Sequence, residues 1–359
     1  MLGVRTWDVI VVGGGIIGLT LSRELKKNGA SVLLVERGEV GREASYAAGG
    51  MLANCGDESV PALKPLADAS AAMYPEFVNE LQDESGINPD LRSNGTLLFP
   101  ASEVAADEIP DAQPLPEPIE TLEPALATGD RDAVFLRERS VCPRSLLKAA
   151  HKAALHRGVD ISQGESVLRV DLADDRVIGV SSTKTSFLAP KVVNCAGAWA
   201  GEVLPREFPT RPVKGQMLCF ALPRREMLRH VVRSPEIYLI PRSDGRLLAG
   251  ATLEEAGFDK RTVPDIIQRL RRAAVAMMPA LSEARILEDW AGLRPGTPDN
   301  LPILGATRTP GYYVATGHYR DGILLAPVTA RAMAQLILGG TSEYNLTPFG
   351  YERFRSRAA

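Results

Sequence analysis

Three glycines and one acid set the first chemical expectation. Gly13, Gly15 and Gly18 fall on the G-x-G-x-x-G spacing, and Glu36 stands further along the chain. In a turn between a strand and a helix, Gly13 allows the tight bend, Gly15 lets the backbone approach a pyrophosphate, and Gly18 lets the helix pack close to the strand. The helix N-terminus then faces the phosphates with its free N–H groups and dipole. Glu36 is placed to accept hydrogen bonds from ribose hydroxyls. This is the chemistry of an ADP-bearing dinucleotide, FAD or NAD. A second glycine-rich stretch, Gly317-His-Tyr-Arg-Asp-Gly322, precedes an apolar run that reads as a helix from Ile323 to Leu338. A helix N-terminus there offers a positive dipole end. Such an end stabilises the negative charge that a reduced flavin carries near N1 and O2. A nicotinamide enzyme needs no such feature there, so the pair of stretches favours FAD, bound non-covalently.

The elements that must position these residues are legible from apolar spacing. Val9 to Val12 is an almost wholly apolar run, as expected of a parallel strand buried on both faces. Ile17, Leu21 and Leu25 follow at helical spacing, and Asn28-Gly29 is a stop signal. Ala30 to Val35 starts a second strand that ends at Glu36. Lys191 to Gly201 repeats the grammar of strand, Gly-rich turn and helix start, and Tyr312 to Thr316 is a last strand. Helices are expected over Ala62 to Ser85, Pro143 to Arg157 and Val263 to Met278. Val167 to Val170, Val177 to Ser181 and Phe187 to Leu188 read as a hairpin-rich insert. Residues 210–251 alternate in the β manner, with a turn at Ser243-Asp-Gly245. Trp290 to Thr297 reads as the segment after a strand. Residues 100–126 are rich in proline and acids, an extended excursion that is either a solvated loop or a lid.

Composition excludes several classes. The chain has 359 residues, 45% hydrophobic and 24% charged, with a net charge of −3, which fits a globular protein of one or two domains and not a nucleic-acid binder. Cys55, Cys142, Cys195 and Cys219 lie far apart with no C-x-x-C pair, so they read as buried small hydrophobes of a reducing compartment, with no zinc or other metal framework. No apolar run reaches the roughly 18 residues that span a membrane. A cytoplasmic protein without membrane contact is expected.

Gly13 to Gly18 with Glu36, Ala48-Gly-Gly-Met51, Arg211-Pro-Val-Lys-Gly-Gln216, Trp290-Ala-Gly-Leu-Arg-Pro-Gly-Thr297 and Gly317 to Pro327 together resemble the FAD-dependent D-amino-acid oxidase superfamily, in particular its glycine-oxidising branch. The resemblance covers essentially the whole chain in the same motif order. It implies an α/β fold: a Rossmann-like (GR2-type) FAD-binding domain with an inserted antiparallel β-sheet substrate domain. The expected division is 1–87, 140–210 and 286–359 for FAD, and 88–139 with 211–285 for substrate. The cofactor contacts it implies are Gly13, Gly15, Ile16, Ile17, Gly18, Glu36, Arg37, Ala44, Ser45, Gly49, Gly50, Met51, Val167, Gly292, Tyr319, Arg320, Asp321, Gly322, Ile323 and Leu324.

The resemblance also carries substrate roles onto single positions. Arg294 matches the arginine that grips the substrate carboxylate, Tyr238 the tyrosine whose hydroxyl helps hold it, and Arg320 a second arginine at the site mouth. A guanidinium offers a carboxylate a planar two-point fork, which suits the first role. The alternatives are a structural ion pair for Arg294, a core tyrosine for Tyr238 and a surface charge for Arg320. His318 is expected to be structural or to back the flavin, Lys214 to form a salt bridge and Trp290 to pack. No side chain is expected to act as acid or base. The implied reaction is hydride transfer from substrate Cα to flavin N5, followed by hydrolysis of the imino acid to an oxo acid and ammonia and by reoxidation with molecular oxygen to hydrogen peroxide. Substrates would be glycine, sarcosine and small D-amino acids, the assembly a homotetramer, and the role thiazole formation for thiamine. Glu236 and Leu253 depart from the family pattern, where a histidine and a methionine stand. Competing readings are a D-amino-acid dehydrogenase, a sarcosine oxidase-like enzyme and a non-catalytic FAD subunit of a heteromeric oxidase.

Overall fold

A computed structural model describes residues 5–55, 60–101, 104–105, 108–129, 131–205 and 208–357. Val9–Val12 is buried at every position, and Val11 pairs in parallel with Leu34 on one side and Val193 on the other. This central strand belongs to a six-stranded sheet ordered Ile303–Ala306, Tyr312–Thr316, Val192–Asn194, Val9–Val12, Val32–Glu36 and Asp160–Gln163. Only the edge strand Ile303–Ala306 runs antiparallel to its neighbour. The helix Ile16–Lys27 buries Ile16, Ile17, Leu19, Leu21 and Leu25, ends at Asn28, and carries Lys26 and Lys27 in its last turn, where they complement the dipole. It packs with the helices Lys64–Ser85, Pro143–His156 and Ala326–Ile337 into one apolar core.

The second layer is a seven-stranded sheet ordered Ile286–Gly296, Arg211–Ala221, Arg246–Gly250, Tyr238–Pro241, Val231–Arg233, Thr96–Leu98 and Val134–Leu136. All neighbours are antiparallel except Val231–Arg233 with Thr96–Leu98. The period of two sorts its side chains. Leu218, Phe220, Leu239 and Leu247 pack under the helix Pro264–Met277, while Met217, Ile240 and Leu248 face the other way, beside Met51, Tyr238 and Trp290. A three-stranded sheet, Val167–Ala173, Arg176–Ser182 and Ser186–Leu188, forms the hairpin-rich insert.

Three expectations change. Trp290 to Gly296 does not follow a strand; it is the second half of the strand Ile286–Gly296, paired along its length with Arg211–Ala221. A division at residue 286 therefore cuts through the second sheet, whose last strand runs to Gly296. Pro295 is tolerated because this is an edge strand. The closing helix begins at Ala326 rather than Ile323; the Ile323 and Leu324 carbonyls accept hydrogen bonds from Tyr74 Oη (2.5 Å) and Ser70 Oγ (2.6 Å) instead. The excursion at 100–126 contains Leu115, Ile119, Leu122 and Leu126, which pack into the core beneath the second sheet. None of its described residues lines the cleft described below, so they form no lid.

Candidate active site

The two sheets face each other across a cleft of about 710 Å³, within the roughly 300–1,000 Å³ typical of ligand sites. Val12, Val35, Cys195 and Thr316 line it from the C-terminal ends of the parallel strands, where open α/β sheets bind ligands.

One end is built around Glu36. Its carboxylate is buried and accepts the backbone N–H of Gly14 (2.7 Å) and Gly38 (2.9 Å), one on each oxygen. Each oxygen keeps a lone pair for a ribose hydroxyl. Val167, Arg37 and Trp199 line the same end. The Arg37 guanidinium stacks 3.5 Å above the Trp199 ring and pairs with Glu43 through a hydrogen-bonded salt bridge of 2.5 Å. Beside them Gly13 bends the chain at φ +107°, in a conformation that an L side chain rarely adopts. Gly15 is the N-cap of the first helix and brings no capping side chain; Ser45 Oγ accepts the Ile16 N–H at 3.1 Å. Gly13, Gly15, Ile16, Ile17, Ala44, Ser45, Gly49, Gly50 and Met51 all line the cleft. Gly18 does not: it sits behind, where a Cβ would stand 1.9 Å from the Gly13 carbonyl oxygen. Its part is the close helix–strand contact.

At the other end the closing turn meets the second sheet. The Tyr319 N–H donates to the Pro295 carbonyl (3.0 Å), which ties the turn to the strand carrying Arg294. Tyr319, Arg320, Asp321, Gly322 and Ile323 line the cleft with Gly292, Arg294 and Tyr238. Leu324 is instead a core residue that contributes its carbonyl to Ser70. Arg294 lies over Gly215, where a Cβ would stand 2.2 Å from Nη1, and Nη1 donates to the Thr252 carbonyl at 3.1 Å. Among the described residues it has no carboxylate partner, so the structural ion pair is absent and the rest of its fork is available to an anion. Tyr238 is half-buried with its hydroxyl 3.9 Å from Met217 Sδ. Arg320 is exposed at the mouth, 5.4 Å from the Tyr319 ring. Glu236 and Leu253 also line the cleft.

His318 is buried, and its Nε2 lies 3.1 Å from Thr329 Oγ1. Burial pushes its pKa down to about 3, so the ring is neutral near pH 7 and not poised as a base. The salt bridge expected of Lys214 is not formed among the described residues; the residue is buried and pairs through its backbone with Glu254. Trp290 packs against Met217, and its indole N–H also donates to the Ala47 carbonyl (3.0 Å), which anchors the segment before Gly49. Three contributors went unread in the sequence. Gly215 clears space for Arg294, Trp199 carries Arg37, and Arg233, cross-strand from Tyr238, lines the cleft while paired with buried Glu138 at 3.2 Å. The Gly215 signal was present in Lys214-Gly-Gln216; the others needed the sheet pairing.

The cleft fits FAD on its own features: a buried carboxylate at one end, a glycine-lined helix N-terminus, and beside the closing turn a guanidinium that has no carboxylate partner among the described residues. The comparisons agree. The family described as FAD dependent oxidoreductase matches residues 8–336. A glycine oxidase of Pseudomonas aeruginosa is 37% identical over 347 residues, covering 92% of this chain and 94% of that protein. A bifunctional protein ThiO/ThiG of Trichormus variabilis is 35% identical over 370 residues, 99% of this chain and 56% of that longer protein. The crystal structure of glycine oxidase from Geobacillus kaustophilus superposes with a TM-score of 0.90 at 32% identity, covering 97% of this chain and 98% of that one. The chain belongs to the FAD-dependent oxidoreductases of this family, and FAD is its cofactor. Within the family it is an amino-acid oxidase of the group that the glycine oxidases represent. Among the described residues, no helix is long and apolar enough to cross a membrane.

Proposed function

We propose that the protein oxidatively deaminates glycine, and with it sarcosine and small D-amino acids, to the oxo acid, hydrogen peroxide and the free amine, which is ammonia from primary amines and methylamine from sarcosine. The observation that carries this reading is the Arg294 guanidinium, bonded to the Thr252 carbonyl but without a carboxylate partner among the described residues, in one cleft with Tyr238, Arg320 and the dinucleotide elements. Arg294 takes the substrate carboxylate as a two-point partner. Tyr238 donates its hydroxyl to the same carboxylate, and Arg320 at the mouth attracts the anion and covers it. The amine enters neutral, and fixing the carboxylate fixes the direction of the Cα–H. When bound, FAD would supply the acceptor for the two electrons and the hydride, with molecular oxygen as the final oxidant. Neutral His318 takes no proton, so orientation and charge compensation do the work. Water then hydrolyses the imino acid outside the redox step.

The cofactor contacts and the division into an FAD-binding and a substrate-binding part, with its last boundary moved beyond Gly296, belong to the same proposal. So do a cytoplasmic location and a homotetramer, the latter on family resemblance. Relatives named ThiO/ThiG support a role in supplying the glycine-derived imine for thiazole formation in thiamine biosynthesis. The test is a substrate panel on purified protein, followed by anaerobic bleaching of the flavin and by peroxide yield in air. Bleaching by glycine with one peroxide per turnover is expected. Turnover with an artificial acceptor but no peroxide would overturn the oxidase reading.

A further inference from the structure

Arg242 is a charged residue in an unusual setting. It is 3% exposed, lies outside the cleft lining, and has no carboxylate within ion-pair distance among the described residues. A guanidinium stays charged in proteins, and a buried charge without a partner is costly. Its Nη2 donates to the Gly49 carbonyl, while Nη1 is buried without a hydrogen-bond partner. Cys142, Asp90 and Asp244 favour its charge only from beyond hydrogen-bond distance, and Arg246 opposes it. Burial works to raise the Cys142 thiol, but Arg242, Ser145 and Arg246 together hold it below its ordinary value.

The bond to Gly49 lies at a decisive place. Tyr238, Ile240 and Arg242 follow at the strand period of two, and a Cβ on Gly49 would stand 2.6 Å from Ile240 Cδ1 and 3.7 Å from Tyr238 Cε2. Gly49 is thus pressed against the second sheet. The Gly49–Gly50 peptide is trans, so the Gly50 N–H points opposite to the Gly49 carbonyl. The next carbonyl, that of Gly50, is taken by the Val141 N–H at 2.9 Å. Among the described residues nothing engages the Gly50 N–H, and Gly50 lines the cleft.

We propose that Arg242 is a positioning residue for FAD: by holding the Gly49 carbonyl from behind, it turns the Gly50 N–H into the cleft as a hydrogen-bond donor to the bound cofactor. This explains why a buried cation is kept where an apolar side chain would be less costly. It rests on the FAD assignment and not on the choice of substrate.

The test is titration of FAD into apo-protein, read by quenching of flavin fluorescence, together with the visible spectrum of the bound flavin. Arg242→Met removes the clamp and the buried charge together. The expected result is a thermal midpoint of the apo-protein equal to or above wild type, an FAD Kd raised about tenfold, which is about 1.4 kcal/mol, and a displaced flavin absorption band. Arg242→Lys, which keeps a donor, is expected to stay within about threefold of wild type on the same scale. A wild-type Kd and spectrum in a folded Arg242→Met protein would overturn the proposal. So would a lowered thermal midpoint with FAD binding intact, the signature of a merely structural arginine. Should Arg242→Met not fold, the same titration on Arg242→Gln decides: a Kd several-fold above wild type supports the clamp, and an unchanged one removes it.

Discussion

The cofactor wall of the cleft is made of backbone, and the wall opposite it is made of side chains. On the first, Gly13, Gly15, Gly49 and Gly50 line the cleft with backbone, and the buried Glu36 carboxylate is itself held by the N–H groups of Gly14 and Gly38. On the second, Arg294, Tyr238, Glu236 and Leu253 project from strands and strand ends of the second sheet, and their spacing is set by sheet pairing. The difference has a physical root. A pyrophosphate is common to every dinucleotide and is recognised by N–H groups and a dipole. A small amino acid offers one carboxylate and one amine, and a carboxylate in a low-dielectric space calls for a cation. At Gly13, Gly49 and Gly50 the backbone wall leaves no room for a Cβ; a wall of side chains tolerates change at the price of a different substrate.

That contrast can be broken in four places, taken from the largest expected effect to the smallest. Gly18→Ala puts a Cβ 1.9 Å from the Gly13 carbonyl oxygen, so it is expected to cost more than about 2 kcal/mol of stability and to abolish FAD retention; a normal denaturant midpoint and a yellow protein would contradict this. Arg294→Ala leaves the cofactor wall intact. FAD should stay bound while kcat/KM for glycine falls by about 30-fold or more, the effect of about 2 kcal/mol from a desolvated charge pair losing one member. Steady-state kinetics at fixed oxygen checks it, and an unchanged kcat/KM would remove Arg294 from the site. Glu36→Gln should act in the reverse sense, raising the FAD Kd about tenfold by the loss of a charge-assisted bond. The ratio of glycine to sarcosine turnover should hold, measured at saturating FAD.

The smallest effect concerns His318, at the seam between the walls. Its folded pKa of about 3 lies below the ordinary value of 6.5. The folded state therefore binds fewer protons than the unfolded state, and the stabilisation is present above about pH 6.5 and is lost as pH falls toward 3. Between pH 6.5 and 5.5 the loss is about 1 kcal/mol at most. His318→Asn apo-protein should show a flatter decline of unfolding midpoint with acid than wild type; parallel curves would show that the histidine does not titrate on unfolding.

The cofactor wall was legible in the chain because its logic is local. A strand, a glycine turn, a helix and an acid occupy one short stretch, and Gly13, Gly15 and Glu36 line the cleft. Gly18 and Leu324 were expected to contact the cofactor and stand behind the cleft lining instead, since sequence spacing does not tell a packing glycine from a contacting one. The opposite wall was legible only through a resemblance carried by Trp290 to Thr297 and Tyr238. Its strand assignment failed at that motif, because Gly292, Pro295 and Gly296 read as a turn while the edge of a sheet accommodates them as strand.

Sequence alone determined the class of cofactor and the order of the elements. Those follow from hydrophobic period, glycine spacing and residue chemistry, which are properties of neighbours in the chain. Tertiary structure alone decided that Arg294 has no carboxylate partner among the described residues, that Gly215 makes room for it, that His318 is buried beyond protonation near pH 7, and that Arg242 reaches the Gly49 carbonyl. Each of these depends on pairing between strands remote in sequence and on burial, and both are set only when the two sheets close on each other.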